Sequence, residues 1–198
     1  ASDRFFGHLG HSKTYLKRKP SMIIGACGCL MMKKPYVERI KKSFAHLNFL
    51  FGPQDLHRLP EFLARAIKGE KTYEVGREDA FVEGLPIARA RQHRALVSIM
   101  YGCNNFCSYC VVPYARGRER SRKPEDILQE VQQLTDQGFS EILLLGQNVN
   151  SYGNDQEGAY GDFADLLRRI ASEVEIPRLR FMTSHPKDLS PKLLDVMV

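Results

Sequence analysis

Three short apolar runs begin near residues 95, 141 and 178, and each is followed by a stretch whose apolar side chains return with helical period. Parallel strands of one sheet must be joined by a crossover long enough to hold a helix, and a spacing of roughly forty residues suits a right-handed βα repeat. Strands are therefore expected over 95–100, 141–145 and 178–184. The helices between them cover 124–137, with Pro124, Glu125 and Asp126 at its start and Gly138 as its stop, and 162–171, with Phe163, Leu166, Leu167 and Ile170. Ser190 and Pro191 open another. A closed eightfold barrel needs about 250 residues, so three units make either a small open sheet or the first part of a barrel. The helical pattern still running at Val198 favours the partial barrel.

The first 69 residues alternate in the same way. Ser2 caps a helix through Phe5, Leu9, Ser12 and Leu16 that closes at Lys17, Arg18, Lys19 and Pro20. A buried strand over 22–27 follows, then a helix from Pro35 through Tyr36, Val37, Ile40 and Phe44, then a strand over 47–51. Leu56, Leu59, Leu63 and Ile67 mark a third helix, with Pro60 as a kink or a restart. Residues 70–93 lose the periodicity and carry Gly76, Gly84, Pro86 and many charges, as a connector does. The expected organisation is α/β throughout: residues 1–69 as one unit with a parallel sheet, 70–93 as a linker, and 94–198 as the partial barrel.

At 43% hydrophobic and 26% charged residues, the chain has the composition of a folded protein rather than a disordered one. It contains no run of 18 apolar residues, so neither a spanning helix nor a membrane partner is expected. Ala1, Ser2, Asp3 and Arg4 offer no signal peptide and no initiator Met, and the chain is expected to be an internal piece of a longer protein. Five cysteines, an odd number, suit a reducing compartment in which thiols serve a metal or catalysis, and a cytoplasmic location is expected. The stretch from Gly84 to Lys123 carries +7 of a total of +6, its single acid being Glu119, so the basic character belongs to one region. Such a patch suits a polyanion such as nucleic acid or is simply a solvated face. Arg116, Arg118, Arg120 and Arg122 alternate, which lets them line one side of an extended segment and meet phosphates, with Tyr114 as a stacking surface for a base; each arginine alone has an equally good structural role. No nucleophile motif and no phosphate-cradling glycine loop is present.

Cys103, Cys107 and Cys110 are spaced by three and then two residues, directly after an expected strand. Three thiolates on one tight loop suit a soft metal centre, and residues 102–117 lack the fourth cysteine of a structural zinc site. A four-iron, four-sulfur cluster held there would keep three irons on thiolates and leave the fourth open to a small molecule. A zinc site completed by His93 or a distant histidine, or three buried structural cysteines, are the alternatives. Gly146, Gln147, Asn148 and Asn150 lie at the carboxyl end of the second strand, where barrels build their sites, though such a segment is equally a plain turn. His185, at the end of the third strand, is a proton carrier, a ligand or a structural residue.

With Tyr109 immediately before the last cysteine, the 103–110 spacing resembles the signature of the radical S-adenosylmethionine (SAM) superfamily. The longer run from Tyr101 to Arg122 closely resembles the core motif of the methylthiotransferases, and Gly146 to Gly153 is similar to the branch that acts on N6-(dimethylallyl)adenosine in tRNA. Thr183, Ser184, His185 and Pro186 also match, as do segments 25–30 and 57–61. The resemblance implies that Cys103, Cys107 and Cys110 hold a SAM-binding 4Fe–4S cluster, that the amino and carboxylate groups of SAM meet its open iron, and that Tyr109 lies near the adenine. Gly146, Gln147 and Asn148 would grip the methionine part, although the Gly-Gly-Glu type motif found there in the wider superfamily is absent. It further implies a second 4Fe–4S cluster in the amino-terminal domain, with Cys29 as the last of three ligands and the other two lying before this chain begins. Two thiols one residue apart rarely chelate one metal ion, so Cys27 is expected to be a bystander.

The implied reaction removes hydrogen from adenine C2 with a 5′-deoxyadenosyl radical, inserts sulfur there and methylates it with a second SAM. The implied partners are a tRNA anticodon loop and an electron donor such as flavodoxin or ferredoxin. A methylthiotransferase for another modified adenosine or for a ribosomal protein side chain is the near alternative. A non-catalytic zinc module that binds nucleic acid is the distant one.

Overall fold

Asp3 in the first turn and Lys17 and Arg18 in the last complement the helix dipole at both ends, and α1 runs Ser2–Arg18. The computed structural model describes residues 2–75, 89 and 93–198. Its chain divides into two units, Ala1–Leu85 and Pro86–Val198. In the first, β1 (Gly25–Cys27), α2 (Lys34–Ser43), β2 (Phe49–Phe51) and α3 (Leu59–Ile67) follow in the expected alternation. Strand β1 is shorter than the apolar run because the Asn48 side chain accepts from the Ile24 amide at 2.9 Å, so a side chain replaces the first rung of the ladder. Pro60 sits in the first turn of α3, after a 3-10 segment over Pro53–Arg58, and so restarts the helix rather than kinking it.

A third strand, β3 (Thr72–Tyr73), pairs with β2 in parallel and falls within the stretch expected to be connector. Two residues are too few to show a period in sequence. The rest of that connector lies mostly outside the described residues. The sheet order is β1-β2-β3, with Leu47, Leu50, Val37 and Ile40 in one core and Phe62 stacked on Phe51 in another.

The second unit carries β4 (Arg94–Ser98), the short antiparallel partners β5 (Met100–Tyr101) and β6 (Arg120–Ser121), and between them α4 (Val112–Arg116). Then come α5 (Pro124–Asp136), β7 (Glu141–Leu145), α6 (Phe163–Glu173), β8 (Arg178–Phe181) and α7 (Pro191–Met197). The parallel sheet has the order β4-β7-β8. The run expected as one strand over 95–100 is split at Ile99, whose N–H donates to Leu145 O at 2.8 Å while its carbonyl accepts from Arg122 N at 2.9 Å. Ile99 thus hands the chain from the parallel sheet to the hairpin. Strand β8 stops before 184 because Thr183 takes a φ of 68° and turns its hydroxyl to Gly146 O.

Ala95, Val97, Ile142 and Leu144 point to one face and are sealed by Ile127, Val131 and Leu134 of α5 and Leu166, Leu167 and Ile170 of α6. Each fully buried side chain of this kind contributes about 1.5–3 kcal/mol. On the other face Leu96 is 52% exposed, and Glu141 is ringed by Arg94, Arg178 and Arg180, which hold its carboxyl below the usual range although burial alone would raise it. Asp162 and Asp165 form a reciprocal cap on α6, and Lys192 of α7 reaches both. Among the described residues no helix is long and apolar enough to cross a membrane.

Candidate metal centre

The β5–β6 ladder pins both ends of the segment that carries Cys103, Cys107 and Cys110, so the three thiols ride on a closed loop beyond the carboxyl end of β4. Gly102 starts the loop with a φ of 77°, and a Cβ there would lie 1.9 Å from Arg118 O. Only glycine fits both the backbone angle and the close approach. Cys103 N donates to Gly117 O at 3.2 Å, and Cys110 N donates to Cys107 O at 2.9 Å, closing the turn between the last two cysteines. Val111 then leads into α4.

Three side chains tie this loop to the carboxyl ends of the other strands. Gln147, after β7, accepts from Gly102 N at 2.6 Å. Glu119 accepts from Asn104 N at 3.1 Å and from Ser151 Oγ at 2.9 Å, and its second oxygen meets Asn104 Nδ2 at 3.4 Å, while Asn104 Oδ1 accepts from Glu119 N. His185, after β8, brings Nε2 to 3.8 Å from Cys107 Sγ. Beneath the loop, Asp155 accepts from both Ser121 N and Ser121 Oγ, and Ser121 Oγ accepts from Gly153 N.

The cysteines form no disulfide. Burial pushes the Cys103 thiol up, and Glu119, Cys110 and Cys107 add to this, opposed by a hydrogen bond from Asn105. A neutral thiol is therefore favoured until a cation takes the proton's place. Among the described residues no three His, Cys, Asp or Glu side chains are gathered tightly enough for a single ion. A cluster instead presents a different iron to each thiolate, and three soft donors on one tight loop fit such a group.

Several of the expected site residues have protein partners. Asn148 is 1% exposed, donates to Asp188 Oδ2 at 2.7 Å and accepts from His185 N at 3.1 Å, so it ties two loops together. Gln147 is likewise engaged with Gly102, and Gly146 offers its carbonyl to Thr183 Oγ1. Arg122, expected to meet phosphate, is 6% exposed and pairs with Glu130 and Ser98 O. Arg122 follows β6, and the Glu130 carboxylate and the Ser98 carbonyl hold its guanidinium away from the other arginines. Arg116 and Arg120 are half-buried, Arg120 donating to Arg116 O at 3.5 Å, and Arg118 is exposed with its guanidinium 5.6 Å from the Phe106 ring centroid.

Tyr109 and Tyr114 are 89% and 67% exposed, and Phe106 packs edge-on against Tyr114. The loop thus shows an aromatic surface with the Arg118 guanidinium beside it. Sequence reasoning missed Glu119 as a brace, although it is the only acid in the basic stretch. In the first unit, Cys29 opens a 3-10 turn at the carboxyl end of β1 and is half-buried, and Cys27 is exposed with its sulfur 4.0 Å from Gly52 O. Burial, then Cys29 and Asp55, raise the Cys27 thiol.

Residues 97–198 match the family model of the radical SAM superfamily. The chain is 48% identical over 196 residues to the tRNA-2-methylthio-N(6)-dimethylallyladenosine synthase of Clostridium perfringens, covering 98% of this chain and 44% of that protein. The same-named synthase of Bacillus subtilis is 46% identical over 202 residues, covering 100% of this chain and 39% of that protein. That of Clostridium botulinum is 49% identical over 199 residues, covering 100% and 43%. The chain therefore spans about two-fifths of the length of these curated relatives.

Proposed function

The chain belongs to the radical SAM superfamily, and from that premise we propose that it is the cluster-binding part of a tRNA methylthiotransferase that replaces C2–H of N6-(dimethylallyl)adenosine with C2–SCH3. The observation that carries this reading is the braced loop of Cys103, Cys107 and Cys110 in a chain nearly half identical to synthases of that name. When bound, the cluster supplies the electron that splits SAM into methionine and a deoxyadenosyl radical.

The chain's own residues bind, orient and shield. Cys103, Cys107 and Cys110 present three thiolates from one loop, and the absence of a fourth cysteine leaves one iron for SAM. Glu119 and Gln147 fix the backbone on either side of Cys103, so the place of that ligand is set by the fold. Tyr109 stands exposed for adenine, and Tyr114, Phe106 and Arg118 form the face offered to splayed bases of an anticodon loop, with Arg116 and Arg120 beside it. Cys29 is the ligand proposed for a second 4Fe–4S cluster. A reducing cytoplasm and a one-electron donor such as flavodoxin or ferredoxin complete the setting.

The test is to incubate the anaerobically reconstituted full-length protein with reductant, SAM and tRNA bearing N6-(dimethylallyl)adenosine, and to digest the RNA for mass analysis. The 2-methylthio nucleoside is expected. Modification of a ribosomal protein instead, or zinc without iron and acid-labile sulfide, would overturn the proposal.

A further inference from the structure

His185 is held at every polar atom. Its backbone N–H donates to Asn148 Oδ1 at 3.1 Å, and its carbonyl accepts from Asn150 Nδ2 at 3.3 Å and from Asp188 N at 3.0 Å. Its ring Nδ1 lies 3.2 Å from the backbone N–H of Lys187. That N–H can only donate, so Nδ1 must accept and carries no proton. The proton of the neutral ring is then on Nε2, the nitrogen that faces Cys107 Sγ at 3.8 Å. The neighbouring charges cancel, since Lys187 Nζ pairs with Asp188 Oδ1 at 2.5 Å.

We propose that His185 donates an N–H···S hydrogen bond from Nε2 to the Cys107 sulfur and so makes the cluster on this loop easier to reduce. The proposal rests on the cluster reading above. Reduction adds one negative charge, part of which resides on the ligand sulfurs, so a donor aimed at one of them stabilises the reduced state more than the oxidised state. Because the ring's tautomer and direction are set by the Lys187 amide and the Asn148 and Asn150 side chains, no reorganisation is needed when the charge arrives. His185 is a positioning residue in this account, acting through Cys107. It joins the carboxyl end of β8 to the loop beyond β4, a link that the sequence separation of 78 residues concealed.

The test compares His185→Phe and His185→Gln with the wild type in the reconstituted protein. Phenylalanine keeps a ring and removes the donor, whereas glutamine offers an N–H near the place of Nε2. Iron and sulfide content are expected to be the same in all three. At a fixed solution potential the ratio of reduced to oxidised cluster should fall about tenfold in His185→Phe, or about 59 mV for a one-electron couple, and His185→Gln should recover part of it. In the metal-free wild type, nitrogen-15 resonance of the ring should show the proton on Nε2. A full cluster with an unchanged midpoint in His185→Phe, or a ring protonated on Nδ1, overturns the proposal while leaving the cluster reading intact. Loss of one iron in both variants would make His185 a ligand and overturn it too. A wild type that takes up no iron overturns the cluster reading and this proposal together.

Discussion

The two cysteine turns of this chain sit at comparable places, one at and one beyond the carboxyl end of a parallel strand, and they are built to different standards. At Cys27 and Cys29 the intervening Gly28 has a φ of 135° and nothing within 4 Å of where a Cβ would be, and the Cys27 sulfur lies 4.0 Å from the Gly52 carbonyl. At Cys103 to Cys110 the entering glycine is wedged against backbone, Glu119 ties the far end of the loop back to Asn104, and Gln147 and His185 reach the loop from beyond β7 and β8. A turn that contributes one ligand can be open, because its geometry is completed by other ligands. One that must offer three has to be braced by the fold that carries it.

The sharpest way to break this contrast is to remove sulfurs. Cys103→Ala, Cys107→Ala or Cys110→Ala should each abolish 5′-deoxyadenosine formation from SAM, whereas Cys27→Ala should leave it near wild type; cleavage retained in any of the first three contradicts the assignment. Next in size is Gly102→Ala, which meets both a left-handed backbone and a carbonyl at 1.9 Å. A loss of about 2 kcal/mol or more is expected, seen as a lower midpoint in urea, and Gly28→Ala should cost less because its surroundings are open.

Glu119→Ala strands the part-buried Asn104 amide, while the Ser151 hydroxyl keeps Asn148 O at 2.9 Å as its acceptor. That should cost about 1–3 kcal/mol and speed the loss of iron to a chelator. If chelation is as slow as in the wild type, the brace is not what holds the ligands in place. The smallest effect concerns acid. Burial alone would raise the Asp155 carboxyl, but hydrogen bonds from Ser121 hold it below its ordinary range. A lowered folded value means that its stabilisation is complete above the unfolded value of about 3.9 and is lost as pH falls through the folded one. Asp155→Asn should therefore flatten the decline in stability below about pH 4, and a curve parallel to the wild type's would show that the pair contributes nothing.

Periodicity made the long elements legible: α1, α5 and β7 stand close to where their apolar spacing put them, because the apolar face of each packs on the core of its own unit. The cysteine spacing was equally plain. What escaped was short or long-range. Strands β3, β5 and β6 have two residues each and no period to read, and their pairing depends on neighbours that the fold supplies. Asn148 is expected at SAM and Arg122 at phosphate or in a structural role, and Glu119 has no expected role; the structure buries all three, where a polar group must find protein partners. The contact between His185 and Cys107 spans two βα units and leaves no local pattern.

The most direct measurement is low-temperature electron spin resonance of the reduced, anaerobically reconstituted protein with and without SAM. The account predicts a 4Fe–4S signal that changes when SAM is added, followed by release of 5′-deoxyadenosine. A protein with its full iron and sulfide whose spectrum ignores SAM, and which releases no 5′-deoxyadenosine, would contradict it.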